Sequence, residues 1–124
     1  MIPTVIQVAL GGAIGAAARY SLGLALFRTG SGFPTAVLAA NIIGSFLMGL
    51  IVVFLAQKML THLNPFLMTG ILGGFTTFSA FSLEAYTLFE RGEVGLSALY
   101  VALSVILSIA ALVAGIYIMR GLLA

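Results

Sequence analysis

The chain has 124 residues, of which 62% are hydrophobic and only 6% charged, with a formal net charge of +2 and no cysteine. Soluble domains carry about 25% charged residues, and a chain this short exposes too large a share of its surface to hide so much apolar area from water. A soluble fold is therefore excluded, as are disulfides, thiol chemistry and cysteine metal sites, and the small, scattered charge leaves no footprint for nucleic acid.

A membrane-spanning helix needs about 20 mostly apolar residues. Four such runs are legible, at 4–27, 34–57, 65–89 and 94–123, all within one domain covering 1–124. The first run has no basic stretch before it and no clear cleavage site, so it reads as a retained helix. It carries Gly11 and Gly15, a small-xxx-small pair that lets helix backbones touch in lipid, and an embedded cation, Arg19. A short polar connection at 28–32 leads to Pro34, placed where a helix start tolerates a residue without an N–H. The second run holds Ala40 and Gly44 at close-packing spacing and a polar residue, Asn41. After the connection at 58–64, where His62 has no partners and reads as solvated, Asn64 is placed to cap the third run and Pro65 to begin it. The last connection is Glu90-Arg91-Gly92-Glu93. Each run is too long, and too poor in period-2 alternation, for a barrel strand. The predicted class is thus an all-α integral membrane protein with four transmembrane helices.

The third run contains Gly70 and Gly74, then the segment Gly73-Gly74-Phe75-Thr76-Thr77-Phe78-Ser79-Ala80-Phe81-Ser82. Two adjacent glycines followed by two threonines are poor helix formers, which predicts a helix broken mid-membrane. Such a break is tolerated only where protein or a wet cavity receives the freed backbone groups, and freed carbonyls can bind a cation. A packing glycine pair with hydroxyls bonded back to their own helix is the plainer alternative, set against four hydroxyls and three phenylalanines in ten residues. Phe78 and Phe81 are three apart and share a helix face. Their positive ring edges could line a path for a small anion, although phenylalanines at that spacing also simply pack.

Polar groups inside a span are costly and are functional candidates by default. Asn41 offers two amide donors, to an anion or to a neighbouring helix. Glu84, one turn beyond Phe81, could face a wet cavity, pair with Arg19 or act as a proton-linked site. Tyr100, Ser104 and Ser108 recur every four residues and form a row of hydroxyls on one face of the fourth run. Arg19 could hold a positive field at a vestibule or snorkel to the interface. No Ser/His/Asp set, phosphate loop or metal-ligand cluster is present, and an enzyme is not expected.

An even number of spans puts both termini on one side, with Lys58 and Arg120; Arg28 and Arg91 lie on the other. With the cations so evenly divided, the positive-inside rule does not choose a cytoplasmic side. Either orientation is set by something else, or the chain inserts both ways and pairs as an antiparallel dimer.

Taken together, these residues resemble the Fluc (CrcB) family of bacterial fluoride channels, along essentially the whole chain. The resemblance rests on Gly-Gly-Ala-Ile-Gly-Ala-Ala-Ala-Arg-Tyr ending at Arg19 and Tyr20, on Ala-Asn-Ile-Ile-Gly-Ser-Phe around Asn41, and above all on Gly-Gly-Phe-Thr-Thr-Phe-Ser-Ala-Phe-Ser followed by Glu84. It implies a dual-topology, antiparallel homodimer in the bacterial cytoplasmic (inner) membrane, with two fluoride pathways. On that resemblance, Phe78 and Phe81 line the pathway, Asn41 donates along it, and Thr77 and Ser79 contribute hydroxyls. Tyr100, Ser104 and Ser108 form a polar track with Glu84 nearby, and Arg19 is a signature residue of the first helix. The backbone carbonyls of Gly73 and Thr76 would hold a structural sodium ion at the dimer centre, with no organic cofactor. Ala80 departs from the pattern, standing where many relatives have threonine, so that contact does not carry over.

The rival reading is a small multidrug or guanidinium exporter, which shares the four-helix, dual-topology plan. Such exporters depend on a glutamate in the first helix and commonly use tryptophan, and this chain has neither.

Overall fold

The computed structural model describes residues 2–27 and 34–124. The connection expected at 28–32, with Arg28, lies outside the described residues. The chain runs through α1 (Thr4–Phe27), α2 (Thr35–Gln57), a 3-10 turn (Thr61–Leu63), a π-helical segment (Pro65–Leu72), α3 (Gly73–Phe75), α4 (Phe78–Glu90) and α5 (Val94–Leu123). Among the described residues, four stretches are long and apolar enough to cross a membrane: Thr4–Leu26, Thr35–Gln57, Thr61–Glu90 and Val94–Leu123. Among the described residues there is no strand. At 30 residues, α5 is about 45 Å long by helical rise, more than the roughly 30 Å of a bilayer's hydrocarbon. It therefore tilts or projects beyond it.

The third stretch is composite. It opens in 3-10 geometry and widens to π geometry, in which the Gly73 N–H reaches back to the Met68 carbonyl. It closes with the single α turn of α3 and is interrupted at Thr76 and Thr77, both in extended backbone, before α4 resumes at Phe78. Pro65 stands at its helical start, and Pro34 immediately precedes α2. Asn64 does not cap the stretch as expected. Its own backbone is helical and its side chain caps nothing, because the chain already turns at Thr61–Leu63. A capping side chain reaches the first free amides only from non-helical backbone.

Glycines decide which helices meet. A Cβ on Gly15 would strike the Ile71 backbone, and one on Gly74 would strike Gly12. The two glycine pairs seen in the sequence therefore pack α1 directly onto the π-helical segment and α3. A second close approach joins Gly49 of α2 to Gly115 of α5, again backbone to backbone. Among the described residues, the most extensive helix contact is α2 with α5, α4 lies on α5, and α1 does not pack on α4. Phe81, Leu88 and Tyr100 form a small buried cluster with Val37, Leu38 and Ala85 packed around it, and Ala40, Val53, Leu55 and Leu72 are also buried. Most other large apolar side chains, such as Val5, Leu83, Ile106 and Leu122, point outward. That distribution suits lipid as the solvent and would be untenable in water.

Candidate functional site

The interruption of the third stretch faces α2 and α5 across an open cavity of about 430 Å³. Its walls include Asn41, Gly44, Ser45 and Met48 from α2, Gly73, Thr76, Thr77, Phe78 and Phe81 from the broken stretch, and Ser104 and Ser108 from α5. Residues scattered over the second, third and fourth runs thus converge on one space.

The break accounts for its own backbone groups. In a continuous helix the Thr77 N–H would close on the Gly73 carbonyl, and the Ala80 N–H on the Thr76 carbonyl. Instead Thr77 N–H donates to Asn41 Oδ1 at 2.9 Å, while Asn41 Nδ2 donates to the Thr77 carbonyl at 3.3 Å. The Ala80 N–H donates to Thr77 Oγ1 at 3.2 Å, making Thr77 the N-cap of α4. Thr76 bonds back to the Leu72 carbonyl through both its N–H (3.0 Å) and its hydroxyl (2.9 Å). Arg19 Nε reaches the Gly74 carbonyl at 3.4 Å. The carbonyls of Gly73 and Thr76 are therefore left without the amides that would have occupied them, two hard oxygen acceptors of the kind that suit an alkali cation.

Phe78 and Phe81 share a face as expected, with ring centroids 5.3 Å apart and planes tilted by 58°. They are not equivalent: Phe78 is 77% exposed in the single chain and Phe81 only 9%. Phe81 in turn lies 5.3 Å from the Tyr100 ring. The antiparallel course of α4 and α5 sets this pairing, and Ser97 Oγ anchors it by donating to the Ala85 carbonyl at 2.8 Å. Among the described residues, the buried Ser108 hydroxyl oxygen has no hydrogen-bond partner, and the buried Ser104 hydroxyl has the Tyr100 side chain beside it. Unpaired buried hydroxyls beside a cavity are costly unless something polar enters it.

Some predicted residues lie apart from this space. Ser79 is exposed, its hydroxyl 3.3 Å from that of Thr77. Tyr100 is fully buried in the core beneath Phe81, and Glu84 is half-buried on α4 one turn further on. The pairing of Arg19 with Glu84 left open by the sequence is not built within one chain, since α1 does not pack on α4 and Arg19 turns to α3. Sequence reasoning missed Ser45. It lies one helical turn after Asn41, so the same-face spacing that grouped Tyr100, Ser104 and Ser108 would have found it. Among the described residues no group of three or more His, Cys, Asp or Glu side chains could hold a metal.

Among the described residues, four helices long and apolar enough to cross a membrane mark a multi-pass membrane protein, and a mostly apolar cavity with a few polar groups opens beside the interrupted one. Residues 6–116 match the family described as CrcB-like protein, Camphor Resistance (CrcB), and the chain belongs to that family. It is 62% identical to "Fluoride-specific ion channel FluC" of Ruegeria sp. (strain TM1040), over 99% of each chain. The protein of the same name from Roseobacter denitrificans is 60% identical over 95% of this chain and 96% of its own. That of Agrobacterium fabrum is 52% identical over 93% and 94%.

Proposed function

We propose that this chain forms a fluoride-selective ion channel that lets fluoride leave the cytoplasm passively. The observation that carries the reading is near-full-length identity of 62% to a relative named as a fluoride-specific channel. The cavity gives it a physical basis. Fluoride is small and tightly hydrated, so a pathway must replace its water with several close donors. Asn41, the hydroxyls of Thr77, Ser104 and Ser108, and the ring edges of Phe78 and Phe81 supply them around the cavity, with Ser79 exposed outside it and Tyr100 and Glu84 continuing the polar row beyond Phe81. Chloride is larger and approaches fewer of these groups at short range. Selectivity then comes from close contact, not from net charge. Hydrogen fluoride enters neutral, ionises inside, and the trapped anion is driven out by about 2.3 kcal/mol per 100 mV of inside-negative potential.

The working unit in this proposal is an antiparallel homodimer of dual topology in the bacterial inner membrane, with two pathways and the helix breaks at membrane depth. Two carbonyls per chain, Gly73 and Thr76, are too few to enclose a cation. A second copy would complete the shell, and the sodium ion held there would bind the two chains at their centre. Arg19 satisfies the neighbouring Gly74 carbonyl and adds positive field on the same side of the break.

The test is anion efflux from liposomes containing the purified protein, with fluoride and chloride electrodes in parallel and a potassium ionophore to carry counter-charge. Rapid electrogenic fluoride efflux without chloride efflux is expected. A folded dimer that passes no fluoride, yet exchanges guanidinium or drug cations for protons, would replace this reading with that of a small exporter.

A further inference from the structure

We infer that Asn41 is the positioning residue that keeps the third stretch open at Thr76 and Thr77 and so holds the Gly73 carbonyl available to a cation. The cation half of this inference rests on the sodium site proposed above; the clamp does not. The amide that would re-form the helix onto Gly73 belongs to Thr77, and Asn41 Oδ1 takes it at 2.9 Å while Asn41 Nδ2 returns a bond to the same residue's carbonyl at 3.3 Å. A carboxamide is the neutral side chain that can serve a peptide N–H and C=O at once. Turned over, it would set donor against donor and oxygen against oxygen, so the two bonds also fix which way the amide points.

The neighbouring turn of α2 is shaped for this contact. Gly44 is three residues beyond Asn41 on the same helix face, and a Cβ there would strike the Thr76 methyl. The extended backbone of the break is thereby allowed to lie against α2 within reach of Asn41. Asn41 also borders the cavity, and one hydrogen of its amino group is not used in the clamp. A single side chain therefore touches both the cavity and the peptide whose amide would otherwise cover the Gly73 carbonyl. Loss of it leaves the Thr77 amide without its acceptor, so the break frays and the cation's ligand is disordered along with the start of α4.

Residue-resolved amide exchange on the full-length protein in detergent micelles, paired with thermal unfolding in sodium and in N-methylglucamine salts, tests this. In the native protein the Thr77 amide should be protected, although no helical carbonyl accepts it. An open-chain exchange rate at Thr77 would overturn the clamp without need of any variant. In Asn41→Ala, Thr77 should exchange at least about tenfold faster, since an amide stripped of its acceptor no longer waits for a wider opening. The amides of α2 and α5 should keep their rates, and the sodium-dependent rise in melting midpoint should disappear. Asn41→Asp retains the acceptor alone: Thr77 should stay protected, with its amide proton resonance moved downfield by the charged oxygen. Unchanged Thr77 exchange in Asn41→Ala would overturn the clamp, and an unchanged sodium shift in that variant would overturn the cation half. A native protein whose midpoint ignores sodium would sink the sodium site itself, while the Thr77 amide still decides the clamp.

Discussion

Phe78 and Phe81 look alike in the sequence, but they differ in what a substitution disturbs. Phe81 is buried against Tyr100 and Leu88, so Phe81→Ile should lower both fluoride efflux and the melting midpoint of the purified protein. Shape changes in a packed core cost about 1–3 kcal/mol. Phe78 is largely exposed within one chain, so Phe78→Ile should leave chain packing intact and reduce efflux alone. Undiminished fluoride efflux in folded Phe78→Ile protein would remove that ring from the pathway. The shared face of the two rings was legible from their spacing, but their unequal burial was not, because it depends on where α5 lies. Asn41 shows the same limit. The sequence left it between an anion and a neighbouring helix, and only the fold shows the amide paired with the Thr77 peptide. Ser45 went unnoticed through incomplete use of the four-residue spacing rather than any want of signal.

At the scale of elements, backbone contact makes glycine specific where it would otherwise be a weak helix former. Gly15 abuts the Ile71 and Phe75 backbone, whereas Gly95, in the first turn of α5, has open space around it. Gly15→Ala should therefore separate α1 from the π-helical segment, lowering the melting midpoint by an amount equivalent to about 1–3 kcal/mol of overpacking. Gly95→Ala should instead be neutral or stabilise by up to about 1 kcal/mol, by removing freedom from the unfolded chain. Differential scanning fluorimetry on the two variants checks both signs, and a destabilised Gly95→Ala would show that this surface is covered in the assembled protein. The pairing of small residues was readable because it depends on local spacing. The π geometry of Pro65–Leu72 was not, since its composition is that of an ordinary apolar helix. The Asn64 cap failed for a related reason: the chain begins to turn at Thr61, before the proline that marked the expected start.

The described residues present an apolar exterior around a very small buried core, which suits lipid as the solvent. The charges of the whole molecule give no preferred direction. Lys58 and Arg120 fall on the side of the termini and Arg91 on the other, where the sequence expectation also counts Arg28, which lies outside the described residues. If both orientations are needed, biasing either way must be harmful, because orientation follows the excess of Lys and Arg in short cytoplasmic connections. Thr61→Lys with His62→Lys adds positive charge on the side of the termini, and Glu93→Lys adds it on the opposite side. Each biased form expressed alone should confer little fluoride resistance and give little dimer, since all copies would point one way. Expressed together, the two should restore resistance, because each supplies the orientation the other lacks. Full resistance from one form alone, with silence from the other, would instead establish a single fixed orientation. The second copy proposed to complete the Gly73 and Thr76 carbonyl shell would then have to be a parallel one.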